Sequence, residues 1–171
     1  MEHFLASVEK RAYRMAKFAT GHSDEALDIV QDAMFKLVEK YNDRHEEEWG
    51  PLFHAILQSR INDWHRRSTV RKKLFFFFDR SDDEEDPVQS APDPVAFDPA
   101  RKLTGEQAMD HLESAIKALP LRQQQAFLLR YWEEYDVAQT AKIMGCSTGS
   151  VKTHCSRAIS TLREQIGNLA R

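Results

Sequence analysis

Cysteine is nearly absent: Cys146 and Cys155 are the only two in 171 residues. Two thiols are too few for a disulfide framework or a typical zinc site, and their helical spacing with apolar neighbours predicts packing rather than a redox switch. No apolar run approaches the roughly 18 residues that a membrane span requires. The N-terminal stretch M-E-H-F-L-A-S-V-E-K has no basic start followed by an apolar segment, so no secretory signal is expected. Also missing are a Gly-rich phosphate loop, an H-E-x-x-H and a G-x-S-x-G, and the seven histidines are scattered, which argues against an enzyme. Strand-type alternation of apolar and polar residues is missing too. These absences leave an all-α, cytoplasmic chain with no cofactor and no membrane insertion as the expectation.

Hydrophobic residues make up 42% of the chain, enough for a sizeable core. The net charge of −3 is unevenly spread. Residues 1–75 hold 13 Lys and Arg against 12 Asp and Glu, and residues 101–171 hold ten against seven. Residues 76–100 have one Arg against eight acids. The acidity therefore sits in one middle segment, the C-terminal part is mildly basic, and nucleic acid is not excluded as a partner.

That middle segment, Asp79 to Ala100, holds four of the six prolines and shows no periodicity. A flexible acidic linker is expected over 76–102, joining two small helical domains at 1–75 and 103–171. In the first, Val8, Ala12 and Met15 give one amphipathic stripe. Ser23 is placed to cap a second helix with Asp24 and Glu25 in its first turn, burying Ala26, Val30, Ala33, Met34, Leu37 and Tyr41. A third helix is expected after Pro51, burying Phe53, Ile56, Leu57, Ile61 and Trp64. In the second domain, Thr104 and Gln107 suit a capping box before Met109, Leu112, Ile116 and Leu119. Pro120 separates that helix from another over Leu121 to Trp132.

From Asp136 the chain runs D-V-A-Q-T-A-K-I-M-G-C-S-T-G-S-V-K-T-H-C-S-R. Val137, Ala141 and Met144 form a short stripe, Gly145 can end the helix in a left-handed turn, and Ser147 can cap the next. Helix, glycine turn and capped second helix make a helix-turn-helix, whose second helix enters the major groove of DNA. Its buried side would be Val151, Cys155, Ala158, Ile159 and Leu162. Thr148, Ser150, Lys152, Thr153, Ser156 and Arg157 are then free to meet phosphates and base edges. The competing reading is a solvated face of a small bundle.

Two further faces stand out. Glu25, Asp28, Asp32 and Glu39 line the second helix opposite its core stripe, with Phe35 among them, which suits a basic protein partner. The third helix ends in Arg66, Arg67, Arg71, Lys72 and Lys73, and its presumed open side adds Gln58, Asn62 and His65. Cations mixed with amides and rings suit nucleic acid, including unpaired bases. The apolar run Leu74 to Phe78 lies beside the linker and needs a covering surface.

Taken together, D-I-V-Q-D-A-M-F-K-L (Asp28 to Leu37), D-W-H-R-R (Asp63 to Arg67) and the C-terminal S-T-G-S-V-K-T-H-C-S-R-A resemble a sigma factor of the extracytoplasmic-function type, of the sigma-70 family. The resemblance spans nearly the whole chain. It implies that the first domain is region two, with Glu25, Asp28, Gln31, Asp32 and Phe35 gripping the clamp helices of core RNA polymerase. It implies that Gln58, Asn62, His65, Arg66, Arg67 and Arg71 bind and open the promoter −10 element, helped by a loop over Asn42 to Gly50 that includes the acidic Glu46 to Glu48. The second domain would be region four, reading the −35 element while touching the polymerase flap. An anti-sigma factor is the further partner implied, and with no appended C-terminal domain, regulation is expected from outside the chain. The chain departs from the family where Ser59 replaces the usual Asn and Met34 a common aromatic. A stand-alone helix-turn-helix regulator that binds duplex DNA without polymerase is the alternative.

Overall fold

The computed structural model describes residues 1–78 and 105–167. The linker expected over 76–102 lies outside the described residues from residue 79 on, as does Thr104 of the expected capping box. Among the described residues every regular element is helical.

The first block is α1 (Glu2–Thr20), α2 (Ser23–Tyr41) and α3 (Glu46–Phe78). Gly21 ends α1 in the left-handed region at φ 74°, its N–H returning to the Lys17 carbonyl at 2.9 Å, a conformation that only glycine takes without strain. Ser23, expected as the cap of α2, is its first helical residue. His22 holds the cap position, and Thr20 Oγ1 accepts its backbone N–H at 3.2 Å. The core forms where Val8, Ala12, Met15 and Ala16 of α1 meet Ala26, Val30, Ala33 and Leu37 of α2. Phe53, Leu57, Ile61 and Trp64 of α3 close it, all of them buried. Most of the expected stripe residues are buried, because helical spacing of apolar residues decides which face is removed from water, but Met34, Tyr41 and Ile56 are only half-buried and Ile29 is buried as well.

The start of α3 differs from the sequence expectation. The helix begins at Glu46 rather than after Pro51, so the acidic Glu46 to Glu48 form its first turn and not a loop. The Glu48 carboxylate reaches back to the His45 backbone N–H at 3.3 Å, and three acids sit at the positive end of the helix dipole. Those gains outweigh the one ladder bond that Pro51 cannot make. At its other end α3 carries on through Leu74 to Phe78, and Leu74, Phe75, Phe76 and Phe77 are all exposed.

The second block is α4 (Gly105–Ala118), α5 (Leu121–Phe127) with a π-helical continuation over Leu128–Trp132, α6 (Val137–Met144) and α7 (Thr148–Gly167). Met109, expected inside, is 56% exposed. The inner side of α4 comes instead from Ala115 and Ile116, with Leu119 just beyond its end. Ala126, Leu128 and Leu129 pack with Ala141, Met144, Val151, Cys155, Ala158 and Leu162 to complete this core. The blocks also lie against each other, α6 on α3 and α4 on α1.

Candidate nucleic-acid interface

The turn between α6 and α7 is built as its residues require. Asp136 Oδ1 accepts the Gln139 N–H at 2.7 Å while Gln139 Oε1 accepts the Asp136 N–H at 3.0 Å, a reciprocal capping box that fixes the start of α6. Gly145 then turns left-handed at φ 62°. Ser147 Oγ accepts the Ser150 N–H at 3.0 Å and starts α7. From that start Val151, Cys155, Ala158 and Leu162 face the core. Thr148, Lys152, Thr153, Ser156 and Arg157 are exposed together on the other side. Ser150 is the exception: half-buried, its hydroxyl lies 2.9 Å from Ser147 Oγ and serves the cap. His154, at the edge of this face, has its pKa lowered by burial and by the Arg122 and Arg157 guanidiniums, so the imidazole is neutral near pH 7. The positive charge of the face therefore rests on Lys152 and Arg157.

Both cysteines are free, Cys146 half-buried and Cys155 buried. Burial pushes the Cys155 thiol up, against the pull of Arg130, which is the reverse of what a reactive thiolate needs.

On α2, Asp28, Gln31, Asp32 and Phe35 stand exposed, Phe35 to 69%, and Glu25 is half-buried beside them. Glu39, further along, is exposed as well. Asp32 accepts Arg60 Nε at 2.8 Å, so this acidic face joins α3 along an open groove whose other side carries Arg67 and Arg71.

The face of α3 taken as open is only partly so. Arg66, Arg67 and Arg71 are exposed, as are Lys72 and Lys73. Gln58 is 2% exposed, which corrects its placement on the solvent side. Asn62 is half-buried, its Oδ1 accepting Gln125 Nε2 of the second block at 2.9 Å. His65 is half-buried and donates through Nε2 to the Ala19 carbonyl at 2.7 Å, which ties α3 to the end of α1.

The residues missed by sequence reasoning lie where the blocks meet. His54, 1% exposed, has its Nδ1 at 3.0 Å from the Gly50 carbonyl and 2.9 Å from the Tyr135 hydroxyl. Its Nε2 is 3.5 Å from Glu133, a separation that permits attraction but makes no hydrogen bond. Glu133, its side chain 5% exposed, takes Arg11 Nε of α1 at 2.9 Å. A signal existed: His54, Gln58, Asn62 and His65 are spaced as one helical stripe, and only its later members were read as functional.

Burial lowers the His54 pKa more strongly than Glu133 raises it, Arg11 adding to the lowering. The Tyr135 hydroxyl is pushed up by burial and by Glu133, so it stays protonated at neutral pH. A base whose pKa is lowered only in the packed state favours packing while neutral, at pH values above the ordinary range near 6.5, and opposes it as pH falls below. The contact between the blocks is therefore expected to loosen on acidification. Small-angle scattering at about pH 7.5 and about pH 5.5 checks this, since the opposite trend would mean that Glu133 dominates.

Among the described residues no three His, Cys, Asp or Glu side chains converge as a metal ion would require, and no helix is long and apolar enough to cross a membrane. Comparison with known proteins places these faces in context. The family described as Sigma-70, region 4 matches residues 109–162, the span that holds α6, its turn and most of α7. An RNA polymerase sigma-E factor of Streptomyces avermitilis is 23% identical over 167 residues, 96% of this chain and 84% of the relative. RNA polymerase sigma factor SigV of Bacillus subtilis is 29% identical over 155 residues, 90% and 83% of the two chains. ECF RNA polymerase sigma factor SigM of Mycobacterium tuberculosis is 23% identical over 161 residues, 94% and 74%. The fold is shared with the sigma factor RpoE of Bartonella quintana, solved with the anti-sigma factor NepR, at a TM-score of 0.65 and 24% identity over 97% of this chain and 96% of that one. With the region-four match lying on the helix-turn-helix and the relatives aligned along both blocks, the chain is similar along nearly its whole length to sigma factors of the extracytoplasmic-function type.

Proposed function

We propose that the chain binds core RNA polymerase in the cytoplasm and directs it to promoters as a non-catalytic subunit, with the division of labour that its two blocks suggest. The observation that carries this reading is α7: a capped helix within the region-four match that presents Lys152, Thr153, Ser156 and Arg157 on one exposed side. That side would enter the major groove of the −35 element by its N-terminal end. Arg66, Arg67 and Arg71 on α3 supply cations for the −10 strand, with Asn62 and Gln58 as amide donors and acceptors once uncovered. Asp28, Gln31, Asp32 and Phe35 form the surface offered to the clamp of the polymerase, the second block touches the flap, and an anti-sigma factor is the expected antagonist.

Transcription in vitro tests the whole. Purified chain, bacterial core polymerase and sheared genomic DNA should yield discrete transcript starts that share two spaced upstream elements and are absent with core alone. No new starts, with the chain binding duplex sites unaided, would instead identify a stand-alone regulator. Arg157→Ala is expected to cost on the order of 1–3 kcal/mol in promoter binding, concentrated at one position of the upstream element. Lys152→Ala should weaken all sequences alike and flatten the salt dependence by about one unit of slope. Holoenzyme binding across a salt series separates the two.

A further inference from the structure

Beyond Trp64 no residue of α3 is buried, yet the helix runs on to Phe78, about 21 Å further. A free helix of that length is marginal in water, and phenylalanine is a poor helix former. This end of α3 therefore calls for a covering surface, and its charges say of which kind. Residues 66–73 carry Arg66, Arg67, Arg71, Lys72 and Lys73 and no acid, a net +5. Arg66 also pairs with Asp63 at 2.5 Å. Residues 74–78 are one Leu and four Phe. Residues 79–86, next in sequence, hold six acids against one Arg, a net −5. The order is basic, apolar, acidic, with equal and opposite charge on the two sides of the apolar run.

A uniformly acidic partner meets the cations of this stretch and is repelled by its acids, and a uniformly basic partner does the reverse. A surface that satisfies both sides has to carry the same order reversed. A second copy of this chain, running antiparallel, carries it. The apolar residues agree. Val70, Leu74 and Phe77, spaced four and three apart, share one side of the helix, with Phe78 at its edge. All four are half or more exposed. Two such stripes laid together remove on the order of 1,000 Å² from water, which is what a small specific interface needs. We propose that two copies of this chain associate antiparallel through the end of α3. Val70, Leu74 and Phe77 of one copy lie against the same residues of the other, and the cations of residues 66–73 lie opposite the acids of residues 79–86. A two-fold axis relates the copies, so each charge pairing is made twice. A chain whose own acids returned on its cations would satisfy the charges but leave the apolar stripe in water, which favours the second copy. The pairing requires neither polymerase nor DNA.

Charge reversal on each side of the apolar run tests this, with the full-length chain throughout. Arg71→Glu, Lys72→Glu and Lys73→Glu together turn the basic side to −1 and leave the acidic side at −5. Asp82→Lys, Asp83→Lys and Glu84→Lys together turn the acidic side to +1 and leave the basic side at +5. Sedimentation equilibrium from about 1 to about 100 µM should show the wild-type chain passing from monomer to dimer. Each triple variant alone should dimerise at least about tenfold more weakly, because like charges then meet. An equimolar mixture of the two should return to within about threefold of the wild-type dissociation constant, since −5 again faces +5 and −1 faces +1. Leu74→Ser with Phe77→Ser should abolish the dimer while circular dichroism shows both blocks folded. A wild-type chain that stays monomeric throughout would overturn the proposal, as would a dimer that neither charge reversal weakens. Species larger than the dimer would overturn the two-fold arrangement. A monomer whose radius grows when either side is reversed would overturn it too, and would put the chain's own acids on its cations.

Discussion

Asp28→Lys combined with Phe35→Ala is expected to weaken binding to core RNA polymerase by at least about 100-fold. Asp28 makes no ion pair within the described chain, and Phe35 is 69% exposed, so neither change touches the core of the first block. A lysine there places like charge against a basic partner, a juxtaposition that costs several kcal/mol, and loss of an aromatic anchor adds to it. Asp32 is the weaker choice for this experiment, because its 2.8 Å pair with Arg60 also links α2 to α3. Biolayer interferometry against immobilised core polymerase gives the answer. The double variant should keep its thermal stability and its affinity for duplex promoter DNA, and a wild-type affinity for polymerase would move the contact to another face.

Phe53→Ala is expected to destabilise the first block by about 3–5 kcal/mol. Phe53 is 0% exposed and lies edge-on to Phe4, ring centroids 6.2 Å apart, so its removal opens a cavity where α1 and α3 meet. A block of this size has only about 5–15 kcal/mol to lose. The midpoint of its thermal transition should fall by more than about 12 °C. Val151, Ala158 and Leu162 lie on α7, which packs on α4, α5 and α6 of the second block. Circular dichroism should therefore show an early loss of part of the helical signal, with the remainder melting as before. A single shifted transition would mean that the two blocks melt as one unit.

The helices themselves were legible, because each buries a stripe at helical spacing and the apolar residues declare it. Gly145 and Ser147 were legible for the same kind of reason: one residue type fits the left-handed turn, and few fit the cap. The start of α3 was not, since a proline marks a helix start only when no better cap precedes it, and Glu48 with its two acidic neighbours makes one at His45. Gln58 was assigned to the wrong environment because an amide on a helix opposite an apolar stripe reads as wet. Its stripe-mates His54 and Asn62 are met by Tyr135 and Gln125, 81 and 63 residues away in sequence, through hydrogen bonds that no apolar spacing announces. Such contacts leave no periodic trace on the second block, so Glu133 and Tyr135 became visible only in three dimensions, while on α3 the stripe of His54, Gln58, Asn62 and His65 was there to be read. The roles given to the exposed faces of α2, α3 and α7 came from residue chemistry together with the resemblance, and they are the parts that the experiments above address.

The π-helical turn over Leu128–Trp132 has a consequence for how the contact between the blocks can change over evolutionary time. Within it the Glu133 N–H bonds to the Leu128 carbonyl at 3.0 Å, five residues back rather than four. Such a turn is an α-helix holding one additional residue, and each residue advances a helix by about 100°. In an uninterrupted α-helix Trp132 and Glu133 would point about a quarter-turn away from their contacts on α1, Phe18 and Arg11. The aim of both side chains is thus set by a single unit of chain length. A lineage can gain or lose the coupling of its two blocks by one codon's insertion or deletion, leaving every residue on the exposed faces of α2, α3 and α7 as it was.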